Sequence, residues 1–494
     1  MNLFKSKRDD RGHDRRGEAP AKRIEFVDHF GITEAAMSET FSAALAHGAR
    51  FSDIYFEHTI TNTITMEEGI VKEAEKKIHH GAGVRAVRDE SAGYAYVEDI
   101  TPQRLVDAAA ISSSITDSVA TENPKKLETV EYTDRYPVRE LTTTAPLKKK
   151  IAWIEEAEKA AKSYDIHVKK VTVSLIDQLS YIQIATSEGR LLRDVRPLMR
   201  IIVTVVAEKG GNRQMGISSG GGRIGTEYFL ERSSPAHHGR EAARQAVLLL
   251  DAVNAPAGPM ELILSPAESG ILLHESVGHP LEADFIRKGT SAYTGRIGDK
   301  VASELVTVID DGTVENDRGA LNFDDEGSLS SRTVLIEKGI LKGYMHDLIS
   351  ASYFKTAPTG NGRRESYMYP PIPRMTVTYL ANGRSDPEEI MKSTKKGIYC
   401  KSFLGGQVNI SNGDFVFSPI EAYLVEDGEI KVPVKNLTII GNGPDVLSKV
   451  TMVGNDFALS DGRWTCGKGQ NVPVGVGLPT LKISQVTIGG SSIQ

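Results

Sequence analysis

ELILSPAESGILLHESVGHP, residues 261–280, is the stretch from which the rest of the chain can be read. It opens on the apolar run of a strand and crosses Ser265 and Pro266 into a segment of helical spacing, which Pro280 must end. Ser265 stands at a cap position and Pro266 at the first helical position, with Glu268 three residues after the cap, the pattern of a capping box. The stretch thus encodes a strand, a cap and one helix. Inside that helix lie His274, Glu275 and His279, two imidazoles and a carboxylate.

The zinc-protease pattern H-E-x-x-H places its histidines one turn apart on one face of a helix. Here the run is H-E-S-V-G-H, one residue longer. In a regular α-helix that separation turns the second imidazole well away from the first. A single π-type turn would return His274 and His279 to one face, and Gly278 with the helix-ending Pro280 allows such a distortion. The competing reading is two unrelated histidines, one satisfied in the core and one near the helix C-terminus, where a cation is favoured. A catalytic zinc takes three protein ligands and a water. Cys466, in the glycine-flanked loop DGRWTCGKGQ at 461–470, is the natural third donor, against the alternative of a buried thiol. Cys400, in GIYC, reads as a small buried hydrophobe.

Working outward, the residues before this stretch predict an α+β domain over 24–254, with helices laid on a largely antiparallel sheet. Helical spacing over 33–49 is followed by alternating strands over 52–99, a helix opened by Thr101-Pro102, a charged helix over 148–163 and strands over 168–206. A helix over 235–252 leads to Ala255-Pro256-Ala257-Gly258-Pro259, the expected domain boundary. Beyond it, residues 260–494 predict a mainly β domain that carries the helix of His274 and His279. Residues 1–23, of mixed charge and without an apolar segment, read as a solvated, disordered tail rather than a signal peptide.

Composition excludes several classes. With 494 residues, 40% hydrophobic and 25% charged, the chain can bury a core without staples. A net charge of -6 and no basic stripe argue against nucleic acid. No apolar run approaches the roughly 20 residues needed to span a bilayer. Two cysteines in so long a chain fit a reducing compartment, so a cytoplasmic location is expected. The paired histidines His79-His80 and His237-His238 read as solvated, and the glycine run at 218–223 lacks the context of a phosphate cradle.

Many blocks along nearly the whole chain resemble the TldD/PmbA family: HESVGHPLEADF at 274–285, RKGTS at 287–291, NFDDEGS at 322–328, PIPRM at 371–375, GGQV at 405–408, IGNGP at 440–444, MVGND at 452–456 and CGK at 466–468. The chain keeps the histidines, glutamate and late cysteine, so it resembles the metal-binding TldD-like subunit rather than the TldE/PmbA-type partner. That resemblance implies a zinc metalloprotease acting on small or unfolded peptides, with zinc on His274, His279 and Cys466 and with Glu275 as general base. It implies a dimer, with a TldE/PmbA-like subunit or a second copy, and extended substrate pairing with a sheet edge near the metal. The alternative is a non-catalytic modulator subunit of such a complex. Glu282 and Asp284 are candidates to orient the imidazoles. Arg363, Arg364, Tyr367 and Arg374, in a matching loop, are candidates to stabilise an oxyanion.

Overall fold

The computed structural model describes residues 26–115 and 117–490, and the tail expected over 1–23 lies outside them. The first half is built on long antiparallel strands: β1 (Phe51–Glu67), β2 (Ile70–Arg88), β3 (Ser91–Val97), β4 (Val168–Thr186), β5 (Arg190–Lys209) and β6 (Asn212–Gly222). They lie in the order β3-β2-β1-β4-β5-β6, and the short strand Glu128–Thr129 runs parallel beside β5. Buried and half-buried residues alternate along much of β4 and β5, whereas β1 is buried on both faces over 52–59 and β2 is largely exposed over 70–80. The β1–β2 turn is tight because Glu68 and Gly69 both take positive φ, 52° and 77°, the geometry that matches the twist of a two-residue hairpin.

Helices cover the buried face in two places. α1 (Glu34–Leu45) and α2 (Pro102–Ser113) enclose Phe41, Phe56, Val84 and Leu105 at the β1–β3 end. α3 (Leu147–Lys162) and α4 (Pro235–Leu250) enclose Ile154, Val173, Ile201 and Ala246 against β4 to β6. The first pair starts where the side chains of Thr33 and Thr101 accept the backbone N–H of Ala36 and Arg104, satisfying donors that a helix leaves open. The chain is α+β, as its patterning predicted.

In the second half β7 (Gly258–Leu264) pairs parallel with β8 (Lys396–Val408), and β8 pairs antiparallel with β9 (Asp414–Glu426). The circuit continues through β10 (Thr438–Asn442) and β11 (Leu481–Gly489) back to β7, closing a small barrel. Leu264, Phe403, Phe415, Phe417 and Ile483 fill it, together with Leu272, Leu273 and Val277 from the segment after β7. That shared core fixes the segment that bears the two histidines. A second sheet, including Val308–Asp311, Val377–Leu380 and Gly475–Leu478, flanks the barrel.

Buried ion pairs join the halves. Arg85 of β2 bonds Asp53 of β1 and, at 2.5 Å, Glu326 of the second half, while Arg196 of β5 reaches Asp194 at 2.9 Å and Asp325 at 2.5 Å. Removing one partner of such a pair strands a buried charge and costs about 3–5 kcal/mol.

Asp317 is a buried acid to which no cation is bonded among the described residues. Burial pushes its carboxyl up from 3.8 to about 6, while the Gly319 N–H, 2.8 Å from Oδ1, pulls the other way. A folded-state pKa above the unfolded one means the native state holds its proton more tightly. The resulting stability is complete below about pH 4 and is lost as pH rises through about 6, amounting to about 3 kcal/mol. Asn keeps the acceptor and cannot ionise. Asp317→Asn is therefore expected to gain on the wild type in thermal midpoint as pH is raised from 4 to 7, and a pH-independent difference between the two proteins would contradict this account.

Candidate metal centre

After β7 the backbone does not run as one capped helix. The Ser265 N–H bonds the Cys400 carbonyl and its hydroxyl donates to the Lys401 carbonyl, both at 2.9 Å, so β8 takes the groups that a capping box would have used. No side chain caps the turn that follows. A 3₁₀ turn at Ala267–Gly270 leads to one α-turn at Ile271–Leu273, a π-turn at His274–Gly278 and a 3₁₀ turn at His279–Leu281.

The π-turn decides the geometry. The His279 N–H closes on the His274 carbonyl over five residues, and the extra residue brings both imidazoles to one side, ring centroids 5.0 Å apart. Gly278 is required there, since a Cβ would meet the buried Met375 Sδ at 1.9 Å. Cys466 arrives from a short hairpin, Thr465–Gly467 paired with Asn471–Pro473. Arg374 holds that hairpin by donating to the carbonyls of Cys466 and Gln470, each at 2.8 Å.

Ligand atoms of His274, His279 and Cys466 all lie within 4.8 Å of one another, and Cys466 Sγ is 3.2 Å from His279 Nε2. Burial opposes ionisation of the thiol, yet the two imidazoles hold it well below its ordinary value. A buried thiolate beside two imidazoles is a zinc-type donor set. The Nδ1 of His274 is buried and has no hydrogen-bond partner among the described residues. The residues present therefore fit a zinc ion.

Glu275 stands beside this group without joining it, its carboxylate 4.0 Å from His279 Nε2, and burial raises its pKa. Glu282 accepts at 3.0 Å from His279 Nδ1 and is also paired with Lys468 at 3.0 Å. Although burial works against it, Lys468 and His279 hold the Glu282 carboxyl at about 2. Glu282 thus fixes the ring so that Nε2 faces Cys466. Asp284, the other candidate, pairs with Lys468 at 2.7 Å instead.

The four loop residues proposed for an oxyanion are used elsewhere. Arg363 donates to the carbonyls of Met375 and Pro473, Arg364 lies 4.4 Å over the Tyr55 ring, and the Tyr367 ring packs edge-on against Tyr96, centroids 6.0 Å apart. With Arg374 on the cysteine hairpin, none of the four lines the cleft at the metal residues. His238 is likewise no solvated residue: it is buried, meets Ser218 Oγ and Tyr228 OH at 2.9 Å, and burial lowers its pKa to about 4. His79, His80 and His237 are exposed.

The cleft encloses about 710 Å³ and is lined by His274, Glu275, His279 and Cys466, by residues 404–408 of β8, and by Arg200, Arg463 and Lys468. The sequence reading passed over those three cations. Lys468 belongs to the matching block CGK, whereas Arg200 sits in a strand with no local signal. Among the described residues no helix is long and apolar enough to cross a membrane.

Three family profiles match the chain: PmbA/TldA metallopeptidase domain 1 at residues 52–115, the central domain at 141–250 and the C-terminal domain at 257–490. A Haemophilus influenzae protein described as a metalloprotease TldD homolog is 43% identical over 90% of this chain and 93% of its own length. A Saccharolobus solfataricus protein described as a zinc metalloprotease TldD homolog is 28% identical over 90% of this chain and 97% of its own. The crystal structure of TldE from Thermococcus kodakarensis superposes with a TM-score of 0.73, covering 93% of this chain and 100% of that one. At 19% identity that last likeness is one of fold.

Proposed function

Because this chain belongs to the TldD/PmbA metallopeptidase family, we propose that it is a zinc-dependent peptidase hydrolysing small or unfolded peptides, with Glu275 as general base. The observation that carries this reading is the π-turn, which sets His274 and His279 against Cys466 and leaves Glu275 on the wall of an open cleft. A structural zinc site has no need of a carboxylate beside its ligands.

Zinc held by His274, His279 and Cys466 would supply Lewis acidity towards a carbonyl and lower the pKa of a water. Glu275 takes the proton of the attacking water and delivers it to the leaving amine nitrogen. Its partly buried setting favours both roles, because burial raises its pKa and makes it a stronger proton acceptor than an exposed carboxylate. Glu282 keeps His279 in the tautomer that presents Nε2.

Substrate form is suggested by β8. Residues 397–400 pair with β7, but 401–408 have no strand partner on that side among the described residues, and 404–408 line the cleft. An extended peptide can add there as a strand, matching its backbone groups to the open edge. Most strands of a folded protein already have their partners, so an unfolded segment is the better match to this edge. The pairing of β8 with β9 shifts register between Cys400 and Ser402, Ser402 and Phe403, and Phe403 and Gly405, so this edge is bulged rather than flat.

Membership of the TldD/PmbA family supports a TldE/PmbA-like partner subunit or a second copy of the chain. The two buried free cysteines, one of them the thiolate donor, suit a reducing cytoplasm. The test is to measure zinc by elemental analysis and hydrolysis of an unstructured peptide, with and without a partner subunit, before and after chelation. We expect about one zinc per chain, activity abolished by the chelator, and recovery on adding zinc back. A protein that binds no zinc and cleaves nothing in any pairing would instead support the modulator reading.

A further inference from the structure

Two arginines on the wall of the cleft lack an anion of their own. Arg463 precedes Cys466 by three residues and is only 8% exposed, stacked 4.9 Å from the Trp464 ring. Its nearest carboxylate, Glu268, is 3.9 Å away, beyond hydrogen-bond reach, and no N–H of its guanidinium meets an acceptor among the described residues. Arg200, half-buried on β5, donates Nε to Ser219 Oγ at 2.9 Å, and its two terminal nitrogens meet no acceptor among the described residues. Both side chains line the cleft. The third cation there, Lys468, is already engaged by Glu282 and Asp284.

A guanidinium carries five donors in a fixed fork, and burying it with those donors unmet is costly. Two such groups share a single buried carboxylate, which leaves an excess positive charge facing the space where substrate would lie. Arginine forks match a carboxylate bidentately. We propose that Arg200 and Arg463 form a subsite that binds a carboxylate of the peptide substrate, which makes this a peptidase selective for anionic peptides. The inference rests on the cleft being a peptide site. Three residues of chain span at most about 10 Å, so the backbone of Arg463 lies within about 10 Å of that of Cys466 and the subsite adjoins the metal residues.

That carboxylate is either the peptide's C-terminus or an Asp or Glu side chain, and short peptides separate the two. One unstructured hexapeptide sequence is compared as free acid, as C-terminal amide, and as amides carrying one Glu or Gln at each position in turn. Binding is measured by calorimetry on the zinc-loaded Glu275→Gln protein, and kcat/KM on the wild type. We expect at least one charged form to be favoured about tenfold or more over its neutral isostere, the worth of a charge-assisted hydrogen bond, and less so at high salt. Preference for the free acid identifies the C-terminus, and preference for one Glu position identifies a side chain. Arg463→Gln and Arg200→Gln should each bring the ratio close to one, and Arg463→Lys should keep part of it. Equal handling of charged and neutral peptides by the wild type, or a ratio untouched by both glutamine substitutions, overturns the subsite alone. Absence of any peptide binding or cleavage overturns the peptidase reading and the subsite with it.

Discussion

Replacing Glu275 by Gln is expected to lower peptide hydrolysis by about 10²–10⁴-fold while leaving the zinc content unchanged. The isosteric amide has the shape of the carboxylate but cannot accept the water's proton. Among the described residues Glu275 makes no hydrogen bond that the substitution would break, and its carboxylate lies 4.0 Å from His279 Nε2, so the fold should be preserved. The experiment pairs elemental analysis with single-turnover rates. Full activity in a zinc-loaded Glu275→Gln protein would remove the general-base role, whereas loss of zinc along with activity would make Glu275 a ligand.

Cys466→Ala should act on the metal itself. With the thiolate gone, two neutral imidazoles remain, and zinc affinity is expected to fall by a factor of about 100 or more, with activity lost at limiting zinc. The hairpin should stay in place, because Arg374 holds the backbone carbonyls of Cys466 and Gln470 rather than the sulfur. Competition with a chromophoric chelator measures the affinity directly. An unchanged zinc affinity would mean that Cys466 is a buried thiol and that the third ligand lies elsewhere.

What the sequence disclosed was what is local. Thr33 and Thr101 cap the helices they precede, and alternation marked β4 and β5 because one face of each lies on a core. The five-residue spacing of His274 and His279 would put both imidazoles on one face only through a π-turn, against the reading of two unrelated histidines, and a π-turn is present. The capping box failed because a partner 136 positions along the chain, Lys401, takes the Ser265 hydroxyl. No pattern within 261–280 carries that information. Arg363, Arg364 and Arg374 were misjudged for the same reason: distant carbonyls and rings, not a substrate, occupy them. Arg200 and Arg463 show the converse, since their significance lies in the acceptors they lack, and only tertiary structure reveals that.

The open edge of β8 bears on the protein's own solubility. Unpaired backbone on a strand is a template for intermolecular sheet growth, and a flat stretch of this length would invite self-association. The three register breaks against β9 bend the edge, so a rigid strand on a neighbouring molecule cannot follow it over many residues. A short flexible chain can adapt to the bend, forming a few backbone hydrogen bonds and then leaving. The same irregularity therefore protects the chain from amyloid-like stacking and limits how tightly it holds what it binds.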